Sequence, residues 1–363
     1  MKTTKHVLTN IQRVIVLSLL IGSGSRCTHR EVDRQAEGPC RIRLIEAKDT
    51  VLQNNQTPDD NTDQTVYEYD ELGRISHIVQ HYDKRFKGQS ASIYSYVQRD
   101  DYTYDNAGFL ISLSSASQWT PTNGALSNNT NTTLYTYTYT NGRLTQQLRQ
   151  QTNEYGLQTK TVSTYTYDTA GSLITRAEAT TYPVIPTTLQ ERPLFPDGMT
   201  SEWTYKNGKA VDYVERQGGI EVHPYVFQNG LFQTQTGPNY RTVFTYDTQN
   251  RLVKSEFWVD GKLTSYSEST YLQAKLPPGE VPNHFKGFPD INDPKGEEGV
   301  PNTYSFYLVL NTGTIETSRS QLQYKLTGAG YVASSEQVLT PPANGSSPQL
   351  MTKTTYTYDG SCD

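Results

Sequence analysis

Four aspartates recur in similar surroundings and are the first residues whose chemistry needs an explanation. Each follows an aromatic-x-Tyr triplet, and Gly or Asn stands three residues after it; the pairs are Asp70 and Gly73, Asp105 and Gly108, Asp168 and Gly171, and Asp247 and Asn250. Carboxylates bind calcium, but such a site needs about six to eight oxygens and each copy offers a single carboxylate. Asp also accepts hydrogen bonds from amides inside a turn, and Gly supplies its left-handed residue. We therefore interpret these residues as structural turn residues and expect no metal ligand, catalytic residue or cofactor-binding residue.

Two histidines offer a second candidate for chemistry. His77 and His81 are four residues apart, which on a strand places them about 13 Å from each other on one face, too far to share a metal. The sequence contains no zinc-protease motif, nucleophile elbow, phosphate-binding glycine loop or Cys-x-x-Cys. We interpret both histidines as surface residues and predict that the protein is not an enzyme.

Cys27 is the third candidate, because it stands just after a segment typical of export signals. Lys2, Lys5 and Arg13 precede the apolar run 14–21, and small residues follow it, which is the pattern of a signal peptide too short to span a bilayer. The stretch resembles the lipobox of bacterial lipoproteins, although Arg26 occupies a position where that family has a small residue. Two outcomes stay open: acylation of Cys27, or ordinary cleavage near Ser23 or Ser25.

The other two cysteines lie at opposite ends of the chain that follows. Cys40 comes just after the segment 28–39, and Cys362 is one residue from the end of the sequence. In an oxidising compartment such cysteines can pair, and the alternative is two free thiols. We predict a disulfide between Cys40 and Cys362, which would close a very long loop.

The turn residues belong to a repeated unit that must form β-hairpins. In Tyr67–Ile75 two tyrosines alternate with Glu68 on a strand, Asp70 to Gly73 make the turn, and Ile75 begins the return strand. Copies at 102–110, 165–173 and 244–252 share this spacing, and shorter copies use Asn-Gly or Asp-Gly turns at 141–142, 207–208, 229–230 and 260–261. Less regular hairpins are expected around 311–313 and 327–330, and a last unit begins at Tyr356.

Composition indicates which fold these hairpins build. Only 34% of the residues are hydrophobic, but the chain contains 27 tyrosines, and Tyr and Thr suit a pleated sheet with one wet face. We predict an all-β protein, an antiparallel meander of repeated hairpins forming a large twisted, curled sheet or a partial barrel. The predicted organisation is a signal peptide at 1–26, a flexible tether at 27–39, hairpin repeats at 40–275, a Pro/Gly-rich loop at 276–303 and C-terminal hairpins of the same domain at 304–363.

The Tyr-Asp-x-x-Gly-Arg-Leu/Ile pattern resembles the YD repeat of the Rhs-type family. The match is best at Tyr69, Asp70, Gly73, Arg74 and Ile75, and the recognisable units cover about residues 65–265 with one more near 356. The spacing of about 35 residues between full copies exceeds the family's, and its core-associated motif and toxin tail are absent. The resemblance implies a short exported, lipoprotein-like member without a toxin domain.

Function follows less directly from these features. Removing residues 1–26 takes away four basic residues and no acidic one, so the formal net charge falls from −5 to about −9, which argues against nucleic acid as a partner. We expect a non-enzymatic structural or binding protein of the cell envelope with an unknown protein or glycan partner, touching a membrane only through a lipid anchor. If it is lipidated it belongs at the outer membrane or cell surface, and otherwise in the periplasm or outside the cell.

Two other functions remain open at this level. One is a carbohydrate-binding surface protein that stacks sugars on rings such as Tyr135, Tyr137 and Tyr139. The other is a secreted glycan-active hydrolase with carboxylates in the loop 276–302, which also contains His284, Phe285, Phe288 and Asp290. Facing carboxylates across a pocket would support the hydrolase.

Overall fold

A computed structural model describes the chain over residues 41–52, 60–85, 94–121, 129–182, 199–217, 220–272, 285–286, 288–289, 300–310, 313–340 and 349–359. The predicted tether and all three cysteines, Cys27, Cys40 and Cys362, lie outside these ranges. The described residues form twenty-one β-strands and no helix that could cross a membrane. The strands are β1 Arg41–Leu52, β2 Asp60–Tyr69, β3 Ile75–Arg85, β4 Tyr94–Tyr104, β5 Leu110–Pro121, β6 Asn129–Thr140, β7 Arg143–Thr152, β8 Gln158–Tyr167, β9 Leu173–Thr181, β10 Met199–Lys206, β11 Lys209–Gln217, β12 Ile220–Val222, β13 Tyr225–Gln228, β14 Leu231–Thr236, β15 Tyr240–Tyr246, β16 Leu252–Val259, β17 Lys262–Leu272, β18 Val300–Leu310, β19 Gly313–Leu326, β20 Val332–Thr340 and β21 Gln349–Asp359.

The strands form one antiparallel meander in which sequence neighbours pair, and the all-β prediction is confirmed. β1 departs from this order, because it pairs with β2 on one side and with β21 on the other, where Arg41 lies opposite Asp359. Among the described residues β12 and β13 have no ladder between them, and Pro224, which cannot donate a backbone hydrogen bond, stands between them. The sheet is therefore not closed into a barrel.

The turn from β2 to β3 shows how the repeat makes a hairpin. The Asp70 carboxylate accepts hydrogen bonds from the amides of Leu72 (3.0 Å) and Arg74 (2.8 Å), and the Gly73 amide donates to the Asp70 carbonyl (2.8 Å). Gly73 has φ +74°, and the register slips by one residue after Glu68. This is a type I turn followed by a bulge, in which Gly relieves the strain of the left-handed position.

The same geometry recurs with other residues in the key positions. Asn250 takes the left-handed position with φ +61° in the turn from β15 to β16, where Asp247 accepts from the Gln249 and Arg251 amides. In the turn between β7 and β8, Asn153 takes the position of the aspartate, because its side-chain oxygen accepts hydrogen bonds from the amides of Tyr155 and Leu157. That turn was not predicted, because no aromatic-x-aromatic triplet precedes it.

The core is thin and lies near one edge of the sheet. We call this the aspartate-turn edge, because the turns 70–74, 105–109, 168–172 and 247–251 lie there. We call the side of the sheet that carries Tyr67, Tyr102 and Tyr165 the tyrosine face. One buried cluster on this face contains Ile42, Tyr67, Ile75, Ile78, Tyr102 and Leu110, and a second contains Leu144, Tyr165, Leu173, Tyr205 and Ala210.

The loop predicted at 276–303 is shorter than expected at its C-terminal end. β18 begins at Val300, which is 1% exposed, and Pro301 pairs with Tyr271 of β17. Pro301 misled the prediction, because proline is rare inside ladders and usually marks a loop or the beginning of a strand. Here it is the second residue of β18.

Replacing Gly73 by valine should destabilise the protein. The positive φ is costly for any residue with a Cβ, and a Cβ there would also displace the guanidinium of Arg41, which lies 2.1 Å from the ideal Cβ position. We expect the free energy of unfolding in urea to fall by about 1–3 kcal/mol. Asn250→Gly, at an equivalent position, serves as the control and should be nearly neutral. An unchanged urea midpoint for Gly73→Val would contradict the turn assignment.

Candidate functional site

The tyrosines of the repeat hold neighbouring hairpins together. A tyrosine near the end of a strand, in five of seven cases the second tyrosine of a unit, donates its hydroxyl hydrogen bond to a backbone carbonyl 19 to 29 residues earlier, at or next to the beginning of a preceding strand. These bonds join Tyr69 to Ile42 (2.7 Å), Tyr104 to Ile75 (3.0 Å), Tyr139 to Leu110 (2.8 Å), Tyr167 to Leu144 (2.6 Å), Tyr271 to Leu252 (2.7 Å), Tyr324 to Pro301 (2.5 Å) and Tyr358 to Val332 (2.5 Å). The bonds line the aspartate-turn edge, so each hairpin is fixed to an earlier one.

The residue after each turn packs on the next hairpin. Arg74 forms an ion pair with Asp70 (2.7 Å) in its own turn, and its guanidinium also lies 4.4 Å from the ring centre of Tyr104 in the next unit. Arg251 repeats this with Asp247 (2.7 Å) and the ring of Tyr271 (4.9 Å). Cation–π contacts of this kind add to the hydroxyl bond at the same ring. The arginine of the repeat is therefore used between hairpins and within its own turn.

Burial keeps the bonding tyrosines neutral. Desolvation raises the pKa of Tyr104 and of Tyr167 to about 12 in each case, although Arg74 and Arg143 oppose the shift. Both phenols are thus protonated at physiological pH and can donate to the carbonyls. Hydrogen bonding in turn lowers the pKa of Asp70 and of Asp247 despite the desolvation that opposes it. These carboxylates are ionised acceptors, and their bonds lie within the turns.

The predicted loop contributes two phenylalanines to the tyrosine face. The ring centre of Phe285 lies 5.9 Å from that of Tyr102, and Phe288 lies 5.2 Å from Tyr137 and 5.3 Å from Phe285. Phe288 packs against both buried clusters. Between them, Lys286 donates to the Ala107 carbonyl (2.8 Å). This short segment therefore joins the two parts of the core; His284 and Asp290 lie outside the described residues.

These contacts bear on the tyrosines proposed to bind sugar. Tyr137 packs under Phe288, and Tyr135 is parallel to Tyr137 with ring centres 6.4 Å apart. Tyr139 donates to the Leu110 carbonyl, and its ring is tilted against that of Phe109, with ring centres 4.9 Å apart. All three are half-buried. Their rings meet other side chains of the protein, so they do not form a free aromatic strip.

The histidines lie on the face opposite the tyrosines. His77 Nδ1 is 2.5 Å from an Asp101 oxygen, and Arg99 Nε is 2.7 Å from the same oxygen. Within the described ranges no group of three His, Cys, Asp or Glu side chains is arranged to hold a metal ion. The predicted carboxylates of a hydrolase at 276–302 fall outside those ranges.

A row of buried polar groups lies further along the tyrosine face. Arg176 pairs with Glu178, which accepts from the Ser163 hydroxyl (2.9 Å), and Ser163 is 2% exposed. Tyr213 donates to Glu215 (2.9 Å) on a strand nearby. Arg176 and Glu178 offset each other's charge, and Glu215 accepts from a neutral phenol, so both carboxylates have a donor beside them.

Comparison with known proteins gives no family for this chain. No family model matches it, and no curated protein does. A solved structure that is similar is a porin-like protein from Bacteroides uniformis ATCC 8492, with 12% sequence identity, a TM-score of 0.37, and coverage of 88% of this chain and 96% of that one.

Removing one tyrosine hydroxyl tests the link between hairpins. Tyr104→Phe deletes the bond to the Ile75 carbonyl and keeps the ring under Arg74. We expect a loss of about 1 kcal/mol in the free energy of unfolding, measured in urea. Tyr135→Phe is the matched control, because its hydroxyl makes no hydrogen bond within the described structure. Equal stability of the two variants would refute the role of the hydroxyl.

Removing the Phe288 ring tests whether the loop segment holds the core together. A fully buried Phe→Ala change costs about 3–5 kcal/mol, and Phe288 is half-buried, so we expect about 1–2 kcal/mol. Trypsin cleavage after Lys286 should become faster. Leu72→Ala is the control, because Leu72 is 75% exposed. Unchanged thermal unfolding and unchanged cleavage in Phe288→Ala would contradict this role.

Proposed function

We propose that the protein is an exported, non-enzymatic structural or binding protein of the cell envelope, built as a short YD-repeat-like chain. The observation that carries this proposal is the tyrosine-to-carbonyl bond repeated from hairpin to hairpin. Through this bond the tyrosines of the repeat hold the hairpins together as a scaffold. The partner is a protein or a glycan that binds the surface of this scaffold.

The relationship to the YD-repeat family draws support from the turns. Asp70 and Asp247 occupy the same place in their turns, and Arg74 and Arg251 pair with them in the same way. The Tyr-Asp-x-x-Gly/Asn-Arg pattern is thus the pattern of one hairpin and of its link to the next. A sheet of such units offers a long, polar surface on which partners can bind.

The proposed localisation of the protein is argued from its N-terminal residues. The signal-like segment at 1–26 and the position of Cys27 favour export followed by a lipid anchor at the outer membrane or cell surface. A single acyl chain binds a membrane only marginally, and a diacylated cysteine binds stably.

The proposed disulfide draws support from the ends of the sheet. Arg41 of β1 lies opposite Asp359 of β21, and these residues are one and three positions from Cys40 and Cys362. A bridge between the cysteines would lock the pairing of β1 and β21, and the oxidising space outside the cytoplasm permits it.

Mass spectrometry of the mature protein tests export and lipid anchoring directly. We expect an N-terminal acylated Cys27, partition of the protein into the detergent phase, and a mass for Cys40 and Cys362 that is two hydrogens short. Cys27→Ser should abolish the acyl label, while Cys40→Ser should keep it. A mature chain that begins near Ser23 or Ser25 would contradict the anchor, and an uncleaved cytoplasmic chain would contradict export.

A further inference from the structure

A cavity at the opposite edge of the sheet combines aromatic and charged groups. Gly237, Pro238 and Asn239 form the turn between β14 and β15, and Asp260 and Gly261 form the turn between β16 and β17. The Asp260 amide donates to the Asn239 carbonyl (3.1 Å), which ties the two turns together. The cavity between them measures about 370 Å³, and Tyr240, Arg241 and Trp258 complete its lining.

The charged groups of the cavity are unpaired. In the described part of the chain neither the Arg241 guanidinium nor the Asp260 carboxylate makes an ion pair or a side-chain hydrogen bond, although both line the same cavity. Arg251 and Asp247 at the other edge, by contrast, pair with each other. Both residues are exposed, so the guanidinium and the carboxylate are accessible to one ligand.

The tryptophan of the cavity, Trp258, also has a hydrogen-bond donor without a partner among the described residues. Arg241 lies over the Trp258 ring, with its guanidinium carbon 5.5 Å from the ring centre. Trp258 Nε1 is buried and has no hydrogen-bond partner among the described residues. An unpaired buried donor costs about 1–3 kcal/mol. Movement of Arg241 toward a ligand would expose the ring.

We propose that this cavity binds a neutral saccharide. A sugar hydroxyl both donates and accepts, so one sugar can donate to Asp260 and accept from Arg241, while its C–H face packs on the Trp258 ring. A phosphate or another anion would face the Asp260 carboxylate in an acidic protein. The volume is near the lower end of the range for small-molecule sites, about 300–1,000 Å³, and suits one or two sugar rings.

This inference rests on the proposed binding role, since it names one class of partner for the scaffold. It differs from the tyrosine strip considered from the sequence, because those rings pack against each other and against Phe288. Failure of sugar binding would not affect the proposed localisation in the cell envelope, because mass spectrometry of Cys27 tests that proposal separately.

A glycan array followed by calorimetric titration of the full chain tests the proposal. We expect at least one neutral oligosaccharide to bind at millimolar or lower concentration, and binding to weaken about tenfold or more in Arg241→Gln and in Asp260→Asn. Asparagine tolerates the positive φ of Asp260, +48°, so the turn should persist. Arg149→Gln is the matched control, because Arg149 also lies over a ring, that of Tyr135 (5.9 Å), but far along the chain from this cavity.

The chemical class is tested by the same measurements. Binding of uronic-acid glycans alone, lost in Arg241→Gln and retained in Asp260→Asn, would overturn the neutral-sugar assignment. Absence of binding to every neutral glycan would overturn the site, as would binding that both variants retain in full. A shift of the Trp258 indole N–H signal in NMR on titration, identified by its loss in Trp258→Phe, would support direct contact.

Discussion

The bond from a tyrosine hydroxyl to a backbone carbonyl of an earlier hairpin is the interaction on which this sheet depends. Only 34% of the residues are hydrophobic, and many of the buried apolar side chains lie in two clusters near one edge. A tyrosine buries its ring and satisfies a carbonyl at the same time. Repetition of this bond along the aspartate-turn edge fixes each hairpin to an earlier one where packing alone would be weak.

The two edges of the sheet consequently differ in what their side chains are available to do. At the aspartate-turn edge Asp70, Arg74 and Tyr104 form a chain of ion pair and cation–π contact, so these groups are satisfied by the protein. At the other edge Arg241 lies over the Trp258 ring, but neither Arg241 nor Asp260 makes an ion pair within the described structure. Side chains that hold the fold together and side chains free for a ligand are thus separated by the length of a strand.

The hairpins could be predicted because their causes are local. Asp70 and Gly73 are three residues apart, and the turn needs only their hydrogen bonds and backbone freedom. The carbonyl that accepts from each tyrosine could not be predicted in this way, because it lies 19 to 29 residues earlier. Every residue has a backbone carbonyl, so the sequence does not indicate which one accepts. The cavity was missed for a similar reason: Trp258 stands in the short copy that turns at 260–261, but Arg241 belongs to no copy, and the two meet only through the pairing of β15 with β16.

The position of β1 sets the order in which the sheet can be completed. It pairs with β2, which is nearby in sequence, but its other partner is β21. The ladder in which Arg41 lies opposite Asp359 can therefore form only after β21 has been synthesised. All other ladders join strands close in sequence and can form as soon as both strands are present. Contacts between such distant residues form late and slow the last step of folding. Until β21 has formed, one side of β1 is an unpaired strand edge, and such edges can pair with strands of other chains, so the incomplete sheet is prone to aggregation at β1.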